Sequence, residues 1–130
     1  AQVHPLLRQN SRRFAIERCC QTLLENLGAS HGVNELAQAA GMSRSSFSQQ
    51  FKQYTGLSLV EFVNFHRVQR AQRALQDTTE SVTEIAFALG FGNLGHFYSV
   101  FKKQVGMTPC EYRSWSHAQY RRENAVVSEH

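Results

Sequence analysis

The strongest constraint on the fold of this chain is an internal repeat. Residues 33–62 align with residues 82–112, at an offset of 49 residues up to the first glycine and of 50 residues after it. Ten aligned pairs are identical, and they include Val33/Val82, Gly41/Gly90, Phe47/Phe97, Phe51/Phe101, Lys52/Lys102 and Gly56/Gly106. Chance rarely produces so many matches in one register, so the two halves are predicted to share one fold.

Each half is predicted to be a short helix, a tight turn at glycine and a longer helix. In the second half, Ser81 and Glu84 form an S-x-x-E capping box, and Gly90 stands where a left-handed residue would end the short helix. Asn93 is a good N-cap for the next helix. The first half repeats the pattern with Gly41 and with Ser43 as N-cap. The inward positions of the two longer helices are predicted to be Phe47, Phe51, Tyr54, Phe97, Val100 and Phe101.

Three further helices flank these units. Ser58 and Glu61 open a long helix that runs to about Gln76, and Thr108 with Pro109 opens the last helix. The long helix is predicted to bury Phe62, Phe65, Val68, Ala71 and Leu75. An amphipathic helix over Ser11 to Leu27 buries Ile16, Cys19 (or Cys20), Leu23 and Leu27. The predicted fold class is all-α, with about seven helices forming two helix-turn-helix subdomains joined by a long linker helix.

The predicted organisation is a sequence of five segments. These are an N-terminal flank (1–10), a first helix-turn-helix subdomain (11–57), the linker helix (58–76), a second helix-turn-helix subdomain (77–115) and a polar C-terminal tail (116–130) that is expected to fray. A linker helix of this length is about 28 Å long. With the packing at its ends, it can hold two recognition helices near the ~34–36 Å repeat of major grooves on one face of DNA.

Composition narrows the class of protein. The chain is 42% hydrophobic and 11% aromatic, which suits a globular fold, and its net charge of +4 fits nucleic-acid binding without proving it. Three cysteines suggest a reducing compartment, and no Cys/His cluster has zinc spacing, so neither a metal nor a cofactor is expected. No segment reads as a membrane span or signal peptide. The expected location is the cytoplasm, at the nucleoid when bound to DNA.

The sequence resembles the DNA-binding domain of the AraC/XylS family of bacterial transcription regulators. The stretch GFGNLGHFYSVFKKQVGMTPCEYR (90–113) is similar to the family's second helix-turn-helix, including G-x-T-P-x-x-Y-R. FVNFHRVQRAQRAL (62–75) resembles its linker helix, and VNELAQAAGMSRSSFSQQFKQYTG (33–56) its first helix-turn-helix. The resemblance implies a double-stranded DNA operator as partner and a regulator, most often an activator that contacts RNA polymerase. It also implies an N-terminal effector-binding or dimerisation domain that this chain, which reads as a processed or excised piece, lacks.

The resemblance carries over candidate base-contacting positions. In the first unit they are Arg44, Ser45, Ser48 and Gln49, and in the second unit Gly95, His96 and Ser99. Arginine can pair with guanine and glutamine with adenine in the major groove. Gly95 departs from the pattern because it has no side chain to read a base. We therefore expect the first unit to supply most of the sequence discrimination.

A second set of residues is predicted to contact phosphates: Lys52, Asn93, Tyr98, Lys102, Lys103, Arg12 and Arg13. Several of the candidates in the two sets also have a plainer reading. Asn93 is first of all a helix cap, the lysines suit a solvated surface, and His96 suits an ordinary surface histidine. Arg67, Arg70 and Arg73 fall on one side of the linker helix. Pairing of Arg67 with a buried carboxylate or a helix end fits at least as well as DNA contact.

Other classes of function find less support in the sequence. No nucleophile, base and charge stabiliser stand together, so an enzyme is not expected unless a DNA-modifying site lies in another part of a longer chain. Cys19 and Cys20 are interpreted as one buried apolar residue and its neighbour rather than as a redox or metal site. A helical protein-interaction module remains as an alternative. It predicts an exposed apolar face and salt-insensitive binding, whereas DNA binding weakens steeply with salt.

Overall fold

A computed structural model describes the backbone of residues 5–128 and the side chains of residues 7–125. Within this range the chain forms helices and no strand, which confirms the all-α prediction. The helices are α1 (Pro5–Glu25), α2 (Val33–Ala39), α3 (Arg44–Thr55), α4 (Leu59–Asp77), α5 (Val82–Ala88), α6 (Leu94–Val105) and α7 (Pro109–Ser128). Residues 1–4 and 129–130 of the predicted flank and tail lie outside the described residues.

The chain divides into two compact units, Ala1–His66 and Arg67–His130, and the division falls inside α4. Each unit has its own apolar core. The core of the first unit is built from Ile16, Cys19, Leu23, Leu27, Ala37, Phe47, Phe51, Phe62 and Val63. The core of the second unit is built from Val68, Ala71, Leu75, Ile85, Ala86, Phe91, Phe97 and Phe101. The linker helix therefore contributes core residues to both units.

The two glycine turns have the predicted geometry. Gly41 and Gly90 have φ angles of 69° and 90°, in the left-handed region that other residues rarely adopt. The amide of the residue after each glycine donates to a carbonyl five residues back, from Met42 to Ala37 at 2.9 Å and from Phe91 to Ala86 at 3.1 Å. This pattern is a Schellman motif. Both short helices thus end in the same way.

All five predicted helix caps are present. The Oγ of Ser43 accepts from the amide of Ser46 at 3.1 Å. The Oδ1 of Asn93 accepts from the amide of His96 at 2.9 Å. Corresponding bonds form at Ser58, Ser81 and Thr108. These caps start α3 to α7 at the residues where the sequence predicts them.

The two outer helices are longer than the sequence predicts. Helix α1 starts at Pro5 rather than Ser11, because proline suits the first helical position and residues 6–10 contain no helix breaker. The frayed tail predicted from Ser116 is wrong, since α7 continues to Ser128 and the Ser116 side chain is buried. The segment lacks glycine and proline and contains several good helix formers, so nothing stops the helix.

Two predicted core residues are in fact exposed. Tyr54, in the last turn of α3, is 41% exposed and lies beyond the edge of the core. Phe65 on α4 is 38% exposed, and Val63 takes a buried place instead. Helical periodicity places both aromatics near the core side but does not reveal where the core ends.

Candidate nucleic-acid interface

The second helix of the first unit presents a polar face opposite its core face. Phe47 and Phe51 of α3 are buried. At 100° per residue, Ser45, Gln49 and Lys52 project from the opposite side, with Ser48 beside them. These four residues and Arg44, the first residue of the helix, are all exposed. The structure therefore brings every base-contact candidate of the first unit onto the accessible part of one helix.

The N-terminal end of α3 is electropositive as well as accessible. The first helical amides have no partner inside a helix, and the helix dipole places partial positive charge at that end. No acidic residue lies in the first turn of α3, which instead begins with Arg44. This end of the helix suits the negatively charged edge of a nucleic acid.

The second unit repeats this arrangement with different side chains. Phe97 and Phe101 of α6 are buried, and Gly95, Ser99 and Lys102 lie on the opposite side. His96 and Lys103 are exposed next to them. In the first two turns, His96 and Ser99 supply the exposed hydrogen-bonding side chains. Gly95 contributes only backbone, as the sequence predicts.

The repeat register shows how the second unit differs from the first. Arg44 and Ser48 correspond to Leu94 and Tyr98, which are half-buried and pack against the core of the second unit. Tyr98 also brings its hydroxyl to 3.7 Å from the Sγ of Cys110 on α7. This contact, followed by burial, raises the pKa of Tyr98. The second unit therefore offers fewer polar groups at its recognition helix than the first.

The His96 ring packs against a core residue of the second unit. Its ring centroid lies 5.9 Å from that of Phe91, which is buried just before α6. The guanidinium carbon of Arg67 lies 5.5 Å from the centroid of the same Phe91 ring. Burial lowers the pKa of Arg67. Of the two readings of Arg67, the structure therefore supports a structural contact, since the guanidinium lies over the Phe91 ring.

The phosphate candidate Arg13 is engaged within the first unit. Its Nε lies 3.5 Å from the Oε1 of Glu17, and its guanidinium carbon is 5.4 Å from the Tyr54 ring centroid. The Tyr54 hydroxyl donates to the same Glu17 oxygen at 2.7 Å, which raises the pKa of Tyr54. Arg12, its neighbour in sequence, is exposed. The two adjacent arginines thus have different surroundings.

Arg113 has a structural role that the sequence does not predict. The Nε of Arg113 on α7 donates to the carbonyl of Leu75 at 3.0 Å, and its Nη2 donates to the carbonyl of Glu80 at 2.6 Å. These bonds fasten the end of α4 and the loop before α5. Arg113 ends the motif that resembles the AraC/XylS family, but its partners are more than 30 residues away in the chain. Local sequence therefore gives no sign of this role.

Other kinds of site are not apparent in the described residues. Residues 7–125 contain no cluster of histidine, cysteine and acidic side chains that could hold a metal ion. None of the helices described is long and apolar enough to span a membrane. Burial raises the pKa of Cys19, and burial followed by the neighbouring Cys19 raises the pKa of Cys20 to about 11. Both thiols therefore stay protonated at neutral pH, which makes them poor metal ligands and nucleophiles.

The fold and its exposed faces define a class of protein. A short helix, a glycine turn and a second helix with an accessible polar face make a helix-turn-helix, in which the second helix is the one that enters the major groove. The chain carries this unit twice, at α2–α3 and at α5–α6. It is therefore a DNA-binding domain with two helix-turn-helix units.

Comparison with known proteins identifies the family. A family model described as a helix-turn-helix domain matches residues 36–114. The chain is 38% identical over 81 residues to the HTH-type transcriptional regulator MtrA of Neisseria gonorrhoeae, and 37% identical over 81 residues to the xylose operon regulatory protein of Escherichia coli K12. The chain belongs to the AraC/XylS family of transcription regulators and comprises the DNA-binding domain of that family.

Solved structures agree with this assignment. The DNA-binding domain of AdpA, a global transcriptional factor solved in complex with a target DNA, matches with a TM-score of 0.77 and 32% identity, over 80% of this chain and 94% of that one. An AraC-type regulator from Chromobacterium violaceum matches with a TM-score of 0.71 and 27% identity, over 78% and 91% of the two chains.

MtrA and the xylose operon regulatory protein are both much longer than this chain. The matching segment is 62% of this chain in both alignments, but 27% of MtrA and 21% of the xylose operon regulatory protein. The chain therefore spans about a quarter of the length of these relatives.

Proposed function

We propose that this chain binds an operator in double-stranded DNA by placing α3 and α6 in successive major grooves, and thereby regulates transcription. The observation that carries the proposal is the pair of exposed polar helix faces, each backed by two buried phenylalanines. A recognition helix must be accessible at its N-terminal end and rigidly supported from behind. Both helices meet this requirement.

Within this proposal the two recognition helices have unequal roles. Arg44 and Gln49 are the groups of α3 best suited to bidentate contacts with guanine and adenine, with Ser45 and Ser48 as permissive neighbours. In α6, His96 and Ser99 can reach base edges, while Gly95 lets the backbone approach the groove. The first unit then provides most of the sequence discrimination, and the second adds affinity through backbone and shape contacts.

We propose that the phosphate contacts come from exposed lysines in the last turns of α3 and α6. Lys52 and Lys102 occupy equivalent positions in the repeat and are both exposed, and Lys103 follows. Tyr98 is a weaker candidate than the sequence suggests, because its hydroxyl faces Cys110. Arg13 is likewise a weaker candidate, because it is engaged by Glu17 and Tyr54.

The role of the whole regulator is proposed from its relatives. One relative, 36% identical over 78 residues, is named transcriptional activator RhaS in Enterobacter. We propose that this chain also acts in activation and contacts RNA polymerase while bound at its operator. The greater length of the relatives supports a further effector-binding or dimerisation domain in the complete regulator.

The test is a fluorescence-anisotropy titration of the 130-residue chain against labelled genomic fragments, at low and at physiological salt. Saturable binding to a few fragments that weakens as salt rises is the expected result. A variant with both Arg44→Ala and Gln49→Ala is expected to lose the preference for those fragments while it still binds bulk duplex. Absence of binding to every duplex at low salt would overturn the proposal and favour a protein-interaction module.

A further inference from the structure

The N-terminal half of α1 carries arginines where the helix should be apolar. The side of α1 that packs on the first unit is formed by Leu23, Cys19 and Ile16, all buried, and the buried Leu27 follows two residues beyond the end of the helix. Continued by four residues at a time toward the N-terminus, this stripe reaches Arg12 and then Arg8. Both arginines are exposed. The side of the helix that faces its own unit therefore changes from apolar to basic beyond Ile16.

These arginines line a groove beside the first recognition helix. The groove has a volume of about 460 Å³, with Arg8, Ser11 and Arg12 on the α1 side. Its other side is formed by residues 40–43 and Ser46, which are the glycine turn and the start of α3. A second groove of about 440 Å³ runs from Arg12 to Gln50 and Gln53 of α3. Arg12 thus stands between two grooves that follow α3.

The first groove gathers the positive charges of Arg8 and Arg12 with no carboxylate in its lining. No carboxylate is among the residues that line either groove. Arg13 pairs with Glu17, and neither Arg8 nor Arg12 takes part in that ion pair. The first-turn amides of α3 add the positive end of a helix dipole. Like charges gathered in this way repel one another unless an anion is bound among them.

The position of the groove indicates which anion it fits. Recognition helices enter the major groove with their N-terminal residues, so the phosphates that flank the base pairs being read come next to that end of the helix. The basic groove opens at the same end of α3, beside Ser43 and Ser46. We propose that Arg8 and Arg12 bind phosphates of the DNA backbone next to the base pairs contacted by α3. This inference rests on the proposed function, and it makes α1 a second DNA-contacting element of the first unit.

The experiment compares double variants of the 130-residue chain on a short duplex of mixed sequence. The association constant is measured by anisotropy between about 50 and about 200 mM salt. The slope of log K against log salt is negative, and each lost phosphate contact is expected to make it shallower by about 0.9. Arg8→Gln with Arg12→Gln should therefore make it shallower by about 1.8. Replacing both residues by lysine should retain most of the slope, because the charge is kept.

The matched control is Arg18→Gln. Arg18 lies on the same helix with the same charge, but its guanidinium carbon is 6.0 Å from the Phe14 ring centroid and it lines neither groove. Its slope should equal that of the parent chain. Glutamine is a good helix former and the arginines are exposed, so the variants should fold like the parent. On a genomic fragment that the parent chain binds selectively, phosphate ethylation interference should show that the double glutamine variant loses sensitivity at one or two flanking phosphates.

Each other outcome has a definite meaning. An unchanged slope in the double glutamine variant, or an equal decrease in Arg18→Gln, would overturn the groove assignment while the proposed function stands. Inorganic phosphate that competes more strongly than chloride at equal ionic strength would assign the groove to a free anion instead, which also overturns it. If the parent chain binds no duplex at any salt concentration, the proposed function itself fails together with this inference.

Discussion

Arg113 on α7 donates a hydrogen bond of 3.0 Å from its Nε to the carbonyl of Leu75, near the C-terminal end of α4. The last carbonyls of a helix have no partner within the helix, so a guanidinium that reaches them both satisfies the backbone and complements the helix dipole. The Nη2 of Arg113 also reaches the carbonyls of Thr78 and Glu80. One side chain of α7 thus anchors the segment that connects α4 to α5.

The first prediction concerns the stability that this arginine provides. Arg113→Ala is expected to lower the free energy of unfolding by about 1–3 kcal/mol, because several charge-assisted hydrogen bonds are lost. Arg113→Lys should recover part of the loss, since lysine cannot reproduce the planar fork. Urea denaturation measures both, with Arg121→Ala, an exposed arginine on the same helix, as the control. Equal effects of Arg113→Ala and Arg121→Ala would contradict the capping role.

A second prediction separates base contacts from phosphate contacts. Gln49→Ala should weaken binding to the operator by about 1–3 kcal/mol and leave binding to random DNA unchanged. Lys102→Ala should weaken binding to both and reduce the salt slope by about 1. Anisotropy titrations on both duplexes provide the comparison. If the two variants lose affinity equally on both duplexes, the division of roles is wrong.

A third prediction tests whether Asn93 acts as a cap or as a DNA contact. Asn93→Ala should lower the free energy of unfolding by about 1 kcal/mol, because the amide of His96 loses its acceptor. Asn93→Ser should restore most of the stability. Ser43→Ala is the matched variant in the first unit and should cost a similar amount. A stable Asn93→Ser variant that nevertheless binds the operator poorly would assign a DNA contact to Asn93.

A fourth prediction concerns the cysteines. Cys110 is exposed, whereas Cys19 is buried and Cys20 is half-buried with its pKa raised to about 11. Because the thiolate is the reactive form, a thiol reagent at neutral pH should modify Cys110 first. Mass spectrometry should show one fast modification, which Cys110→Ser removes, followed by slow reaction that depends on unfolding. Fast modification of Cys20 in the folded chain would mean that its burial is not maintained.

The repeat and its caps were readable from the sequence because they depend on local chemistry. Gly41 and Gly90 stand where the backbone needs positive φ, and Ser43 and Asn93 stand where the first amides of a helix need an acceptor. Such requirements are met by residues within a few positions of one another. The same pattern placed Phe47, Phe51, Phe97 and Phe101 in the cores.

Tertiary structure alone decided the features that depend on residues distant in sequence. Tyr54 follows the spacing of a core residue, yet it lies past the end of the core and bonds with Glu17 of α1, 37 positions away. Arg12 and Arg13 are neighbours in the chain, but only Arg13 contacts Glu17 and Tyr54. Periodicity gives the direction of a side chain around its helix, whereas the position at which the neighbouring helix ends determines whether that side chain meets a core, a partner or solvent.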